Sequence, residues 1–337
     1  MTSERDVETH AATIRALSAP GAPLSAESPH ATIANPAWFI TAGRIIAPTP
    51  LRRRLHQQVL APYRDRLAEV AHDRRAIVLA GPPGAGKSRI LADVVGPEGS
   101  AGRRAWLEVD PDEIKKALLD AAADDGSYET FIKPPAVLEL EEAGEKFFPL
   151  DFAALVHEES SALAKTIRSE AISSGANIVI DSVLSKPDAA VELGRELAQA
   201  GYQVEVIDVE VPYEVSAARI AERWRSSYLK ALDGQDRHGG RWVPESYARS
   251  VYGADPGARS IAQQSADRLA TECPNVTRLR RYWTPSISAP RVLERDVARA
   301  PGTGALIDRS ALTAAKAHDA TYPKRSTPRR PGPGLER

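Results

Sequence analysis

The chain has 337 residues, 42% of them hydrophobic, which is enough for one large or two modest domains around a substantial core. Its 44 Lys and Arg stand against 45 Asp and Glu, so no global field points to nucleic acid or a membrane surface. The single cysteine, Cys273, excludes an internal disulfide framework and a cysteine-rich metal site, and it reads as a core thiol in a reducing compartment. The start "MTSERDVETH" lacks a signal peptide's apolar run, and no apolar stretch reaches the ~18 residues of a membrane span, so the chain reads as cytoplasmic.

Residues 1–50, rich in Ala, Pro and Ser, read as an extended leader, partly disordered and loosely packed on the body. Leucines and valines at helical intervals predict a helix over 51–72, broken near Pro62. The stretch "AIVLAGPPGAGKSRI" then runs from a buried strand, Ala76 to Ala80, into a complete G-x-x-x-x-G-K-[ST] pattern: Gly81, Pro82, Pro83, Gly84, Ala85, Gly86, Lys87 and Ser88. The glycines let main-chain N–H groups converge on an anion, and a helix starting near Lys87 adds the positive end of its dipole. Lys87 would reach the β- and γ-phosphates, and Ser88 is the candidate metal ligand, for Mg²⁺. ATP or GTP is the cofactor this loop calls for.

Further strands are predicted at 104–109, 177–180, 203–211 and 275–283, with helices at 155–175, stopping at Gly175, and at 212–232, starting at Pro212. Alternating strands and helices predict an α/β, three-layer P-loop NTPase fold with a parallel sheet of about five strands over residues 51–300, its ligands at the carboxyl ends of the strands. Residues 301–337 end in a basic, Pro-rich stretch that reads as a disordered tail; its charge run is short and lacks interleaved aromatics, which argues against nucleic acid.

Phosphoryl transfer needs a phosphate clamp, a metal, an oriented nucleophile and positive charge over the transition state. "LEVDPDEIKKAL" puts Asp110 at a strand end and Asp112 just inside the next helix, where a carboxylate can accept a proton from an acceptor hydroxyl; Asp110 reads equally well as the helix N-cap. Asp181 follows the strand at 177–180, as a metal- or substrate-orienting carboxylate or a buried structural one. Arg223, Arg225, Arg237 and Arg241 flank or lie within a Gly-rich excursion, at about 223–243, that reads as a lid whose arginines neutralise charge as phosphoryl moves.

Together, "GPPGAGKS", "VDPDEIK", "VHEES…GANIVIDS", "VEVPYEVSAARIAERW" and "GGRWVP" resemble the zeta toxin family of P-loop kinases over roughly residues 70–285. The resemblance implies a fold like that of nucleoside monophosphate kinases. It also implies ATP- or GTP-dependent phosphorylation of the sugar 3′-hydroxyl of UDP-N-acetylglucosamine, and a small epsilon-type antitoxin as partner. By the same resemblance Lys87 and Ser88 match the phosphate-loop pair, Asp112 the catalytic base, Asp181 the acid at the third strand end, and Arg223 and Arg241 the lid arginines. His157 and Glu158 fall where the family contacts substrate, and a plain solvated helix face explains them equally well. Where members with the glucosamine activity carry E-G-T-G-R, this chain reads D-S-V-L-S from Asp181 to Ser185, leaving Ser182 or Lys186 to supply polar contacts. Other acceptors, namely a nucleotide, an antibiotic hydroxyl or a nucleic-acid end, stay open, as does a module that hydrolyses nucleotide slowly and signals through partners.

Overall fold

In the computed structural model, which describes residues 4–43, 45–96, 100–253, 259–300 and 304–309, the chain opens with helix α1 (Glu4–Leu17) and a two-stranded antiparallel hairpin of β1 (Phe39–Ala42) and β2 (Ile45–Pro48). Helix α2 (Pro50–Glu69) delivers it to β3 (Arg75–Ala80), after which come α3 (Lys87–Val95), α4 (Ser100–Arg104), β4 (Leu107–Val109), α5 (Pro111–Asp125), α6 (Pro135–Glu142) and α7 (His157–Ser174). The second half runs β5 (Ile178–Asp181), α8 (Pro187–Gln199), β6 (Gln203–Glu210), α9 (Tyr213–Leu232), α10 (Glu245–Ser250), α11 (Ile261–Glu272), β7 (Val276–Trp283), β8 (Val292–Arg299) and β9 (Leu306–Asp308).

The main sheet has the order β4-β5-β3-β6-β7-β8-β9; its first five strands are parallel and β8 and β9 are antiparallel additions. The expected five-stranded parallel sheet is thus present, extended by two strands at one edge. Alternation along β3 shows why helices cover both faces. Ala76, Val78 and Ala80 enter a large core with Leu118 of α5, Ile167 of α7 and Leu269 of α11. Ile77 and Leu79 enter a smaller one with Ile90 and Leu91 of α3 and Val215 of α9.

Three expectations differ from what is observed. The leader is folded onto the body: Val7, Ile14, Leu24 and Trp38 are buried, because α1 and the turns after it have apolar faces to cover. Helix α2 passes unbroken through Pro62, the ~3 kcal/mol cost of an interior proline being outweighed by the burial of Val59 and Leu60 and by a buried ion pair. In that pair Arg52 grips Glu159 of α7 at 2.5 and 2.7 Å while its guanidinium lies 4.2 Å from the Trp38 ring centre, so α2, α7 and the leader are tied at one point. Finally, β9 pairs with β8 inside the segment that reads as a tail; residues 301–303 and 310–337, with the basic end, lie outside the described residues.

Candidate active site

Parallel pairing sets the carboxyl ends of β4, β5 and β3 side by side, with Val109 opposite Ile180 and Leu79 opposite Asp181. The loop leaving β3 therefore emerges beside the strand-end carboxylates. Its glycines are required by space as well as by dihedral. At Gly81, φ is +133° and a Cβ would stand 2.1 Å from the Val209 carbonyl oxygen; at Gly84, φ is +73° and a Cβ would stand 2.9 Å from the Ser216 oxygen. Ser216 Oγ of α9 donates to the Pro83 oxygen at 2.7 Å and holds the loop down. Lys87 opens α3 and folds back: its Nζ donates to the Gly81 oxygen at 2.9 Å and lies 3.5 Å from Asp181 Oδ1. Ser88 is exposed in the first turn of α3.

This loop fits a nucleotide phosphate: a glycine-rich turn with positive φ at Gly81, Gly84 and Gly86, a helix N-terminus and one lysine. Among the described residues no three His, Cys, Asp or Glu side chains form a metal-binding group. A hydroxyl and one carboxylate completed by substrate phosphates and water is the usual way Mg²⁺ is bound, and Ser88 and Asp181 fit that pattern.

Asp110 is the N-cap of α5, its Oδ1 accepting from the Asp112 N–H at 2.8 Å, so the capping reading holds whatever else it does. Burial, and repulsion from Asp112, Asp181 and Glu113, outweigh that hydrogen bond and push its carboxyl up. Asp112 behaves oppositely. Burial alone would raise it, but Arg241 Nε at 3.1 Å from Oδ2 and Lys115 Nζ at 3.1 Å from Oδ1 hold it below the usual carboxylate range. Lys115 itself is buried, which lowers its ammonium against the pull of Asp112. Arg223 projects from α9 into the same field, depressed by burial and by Arg241 and supported by Asp112, Asp110 and Asp181. Arg225 instead contacts Glu8 and Arg237 contacts Asp120, so of the four arginines only Arg223 and Arg241 share the carboxylates' field.

The excursion after α9 is anchored. Arg237 and His238 both meet Asp120 of α5, and the His238 oxygen accepts from the Leu150 N–H at 2.8 Å. A Cβ at Gly240 would lie 2.4 Å from the Trp224 oxygen. Ser182 Oγ accepts from the Leu184 N–H at 3.1 Å, inside its own loop, and Lys186 is the N-cap residue of α8.

Two cavities flank this centre. One, of about 590 Å³, lies between the phosphate loop with Arg89 and Arg219 and the β7–β8 connection, which contributes Thr284 and Arg291. The other, of about 410 Å³, has His157, Glu158, Lys115 and Arg241 in its lining, together with residues 18–27 of the leader and 242–247 of the excursion. Desolvation and the nearby Lys115 cation lower the His157 imidazole from its ordinary value. Sequence reasoning missed Lys115, Arg219 and the leader residues. Arg219 Nη1 donates to the Ala85 oxygen at 3.3 Å, and its place one turn before Arg223 on α9 was the available signal. The leader carried no such signal.

Residues 135–280 match the model of the zeta toxin family, a span that begins after the phosphate loop and ends in β7. Among solved structures, the AvrRxo1-ORF1:AvrRxo1-ORF2 complex with sulphate ions is similar at 22% identity and a TM-score of 0.54, over 84% of this chain and 76% of that chain. The same pair with ATP gives 21% identity and 0.53 over the same shares. The PezAT toxin-antitoxin system of Streptococcus pneumoniae reaches 16% identity and 0.46, over 74% of this chain and 83% of that one. No curated protein matches the chain. At these identities the two AvrRxo1 structures establish a shared fold.

Proposed function

We propose that the chain, whose residues 135–280 match the model of the zeta toxin family, is a kinase that transfers the γ-phosphate of ATP or GTP to a hydroxyl of a small molecule, a sugar nucleotide such as UDP-N-acetylglucosamine or a relative of it. The observation that carries the reading is Asp112: an ionised carboxylate held between Arg241 and Lys115, at the strand edge where the phosphate loop emerges. A hydrolytic switch has no need of that constellation, whereas a base for an acceptor hydroxyl does.

In this mechanism the backbone from Gly81 to Gly86 cradles the phosphates and Lys87 leaves the Gly81 oxygen to meet the γ-phosphate. Bound Mg²⁺-nucleotide supplies the phosphoryl group and a cation that spreads its charge, with Ser88 and Asp181 as the residues to hold the metal. Asp112 accepts the proton as the acceptor oxygen bonds to γ-phosphorus, and the bond between γ-phosphorus and the bridging oxygen breaks with its electron pair staying on that bridging oxygen of the departing nucleoside diphosphate. Arg241 exchanges Asp112 for the transferring phosphoryl, and Arg223 joins it, so both stabilise charge that is largest in the transition state.

UDP-N-acetylglucosamine should be a weak acceptor, since Ser182 stands where family members with that activity have other groups and one acceptor site of its hydroxyl is already taken by the Leu184 N–H. An epsilon-type antitoxin is the proposed partner, on the family likeness. The test is incubation with γ-labelled ATP or GTP and a metabolite extract, then identification of what is labelled. Label found in a phosphorylated small molecule, and lost with Asp112→Ala, supports the kinase. Label released only as inorganic phosphate, at equal rate in the variant, overturns it.

A further inference from the structure

Asp112 has two close cationic partners, and they hold it differently. Lys115 lies three residues further along the same helix, α5, and its Nζ donates to Asp112 Oδ1 at 3.1 Å. Residues three apart on a helix share a face, so this donor keeps its place beside the carboxylate whatever Arg241 does. Arg241 comes from the excursion after α9. Its Nε lies 3.1 Å from Asp112 Oδ2, yet that N–H is buried without a hydrogen-bond partner. A hydrogen bond depends on alignment as well as distance, so the Arg241 contact attracts the carboxylate without orienting it. A buried N–H left unused calls for an acceptor, and in the proposed reaction the transferring phosphoryl is that acceptor. Exposure divides the Asp112–Lys115 pair as well: the Asp112 side chain is 32% exposed and that of Lys115 5%, so the base is open to a substrate while the lysine is nearly closed off.

We propose that Lys115 is a positioning residue of the reaction, fixing the Asp112 side chain so that Oδ2 meets the acceptor hydroxyl once Arg241 moves to the phosphoryl; this rests on the kinase reading above. The lysine acts through the carboxylate and needs to touch no reacting atom. This role accounts for a burial that is otherwise unfavourable: desolvation lowers the Lys115 ammonium, and the pull of Asp112 opposes that loss. The charged and titratable groups facing Asp112 are Lys115 of α5, Asp110 at its cap, Arg223 of α9, Arg241 after α9 and His157 of α7. Of the three cations, Lys115 alone shares a helix with Asp112 and, among the described residues, alone hydrogen-bonds its carboxylate.

The test uses the full chain with γ-labelled ATP and saturating metabolite extract, measuring the maximal rate of small-molecule labelling across pH, the KM for ATP and the melting temperature. Lys115→Met keeps an apolar stem in the buried space and removes the donor. It should lower the maximal rate about 10- to 100-fold with the KM for ATP unchanged. Its acidic limb moves to higher pH, because Asp112 loses a charge that lowers it. The deficit persists on the plateau above that limb, where Asp112 is ionised in both proteins. Lys115→Arg keeps a cation of different reach, so its limb stays near the wild-type position while the plateau rate falls by a smaller factor. A plateau rate equal to that of the wild type in both variants overturns the proposal and leaves the kinase intact. A Lys115→Met deficit that vanishes once the pH is raised also overturns it, since the lysine would then set only the charge of Asp112. So does a lowered melting temperature with the KM for ATP raised in step with the lost rate, the mark of a structural lysine. Wild-type protein that labels no small molecule sinks the kinase reading and this proposal with it.

Discussion

The proposed phosphate end and the proposed acceptor end of the candidate site are built by different means. The phosphate end is eight consecutive residues, Gly81 to Ser88, whose working groups are mostly main-chain N–H groups on a strand-to-helix turn. The acceptor end is made of side chains from the leader, α5, α7 and the excursion after α9, held together by ion pairs and a buried core. A backbone cradle depends on glycine dihedrals and local chain direction, so it tolerates change elsewhere. A side-chain cavity inherits the position of every segment that lines it.

The largest effect should come from the phosphate end. Lys87→Ala is expected to abolish transfer while leaving the melting temperature near that of the wild type, because the side chain leans on loop carbonyls instead of core atoms; label transfer and thermal melting check both halves. Asp112→Ala attacks the other end. It should lower kcat by about 10²- to 10⁴-fold with the KM for ATP nearly unchanged. If ATP binding collapses in steady-state kinetics while saturated turnover persists, the two ends are not separable in the way described.

Arg52→Ala tests whether the leader's attachment supports the acceptor end alone. It leaves Glu159 buried without its main cation and should cost about 3–5 kcal/mol in denaturant unfolding, with acceptor KM rising more than that for ATP. The same ion pair predicts an acid dependence. Burial would raise Glu159, yet hydrogen bonds from His56 and Arg52 bring it from 4.5 down to about 2. A folded-state value below the unfolded one means the stabilisation is complete above about pH 4.5 and is lost as pH falls toward 2, a loss that should be largely absent in Glu159→Gln.

The smallest effect, a displacement of the pH profile on top of the fall in turnover that loss of a transition-state arginine brings, sharpens the comparison most. In Arg241→Ala the Asp112 carboxyl loses the strongest of the charges that lower it, so its value rises and the acidic limb of the kcat profile moves to higher pH. The KM for ATP should show no matching shift. An acidic limb that stays in place would mean that Asp112 does not report on catalysis.

Asp112 stands out from its place just after a strand end, and Arg223 and Arg241 from the zeta toxin resemblance; the structure brings all three into one field with Asp110 and Asp181. The helix after the phosphate loop, the cap at Gly175 and the five parallel strands were also legible, because each follows from local pattern: a period of two or 3.6 and a residue that starts or stops it. Other features followed no local rule. Pro62 lies within a continuous helix because contacts from α7 and the leader hold α2 together. Leader residues 1–50 looked unstructured because Ala, Pro and Ser dominate their composition, while the few apolar residues that anchor them, Val7, Ile14, Leu24 and Trp38, are spaced too widely to signal burial.

What the sequence determined by itself, then, is the chemistry whose parts are adjacent in the chain: a phosphate cradle, its lysine and hydroxyl, and the strand-and-helix alternation that points it at a sheet edge. Only the tertiary structure decided that Arg241 rests on Asp112, that Arg225 and Arg237 point elsewhere, and that leader residues line a cavity with Lys115 and Arg241. The physical reason is range. Dihedral preference and hydrophobic period act over a few residues, whereas an ion pair between positions 112 and 241 or a wall shared by positions 25 and 242 exists only once the core has closed and set the distance between them.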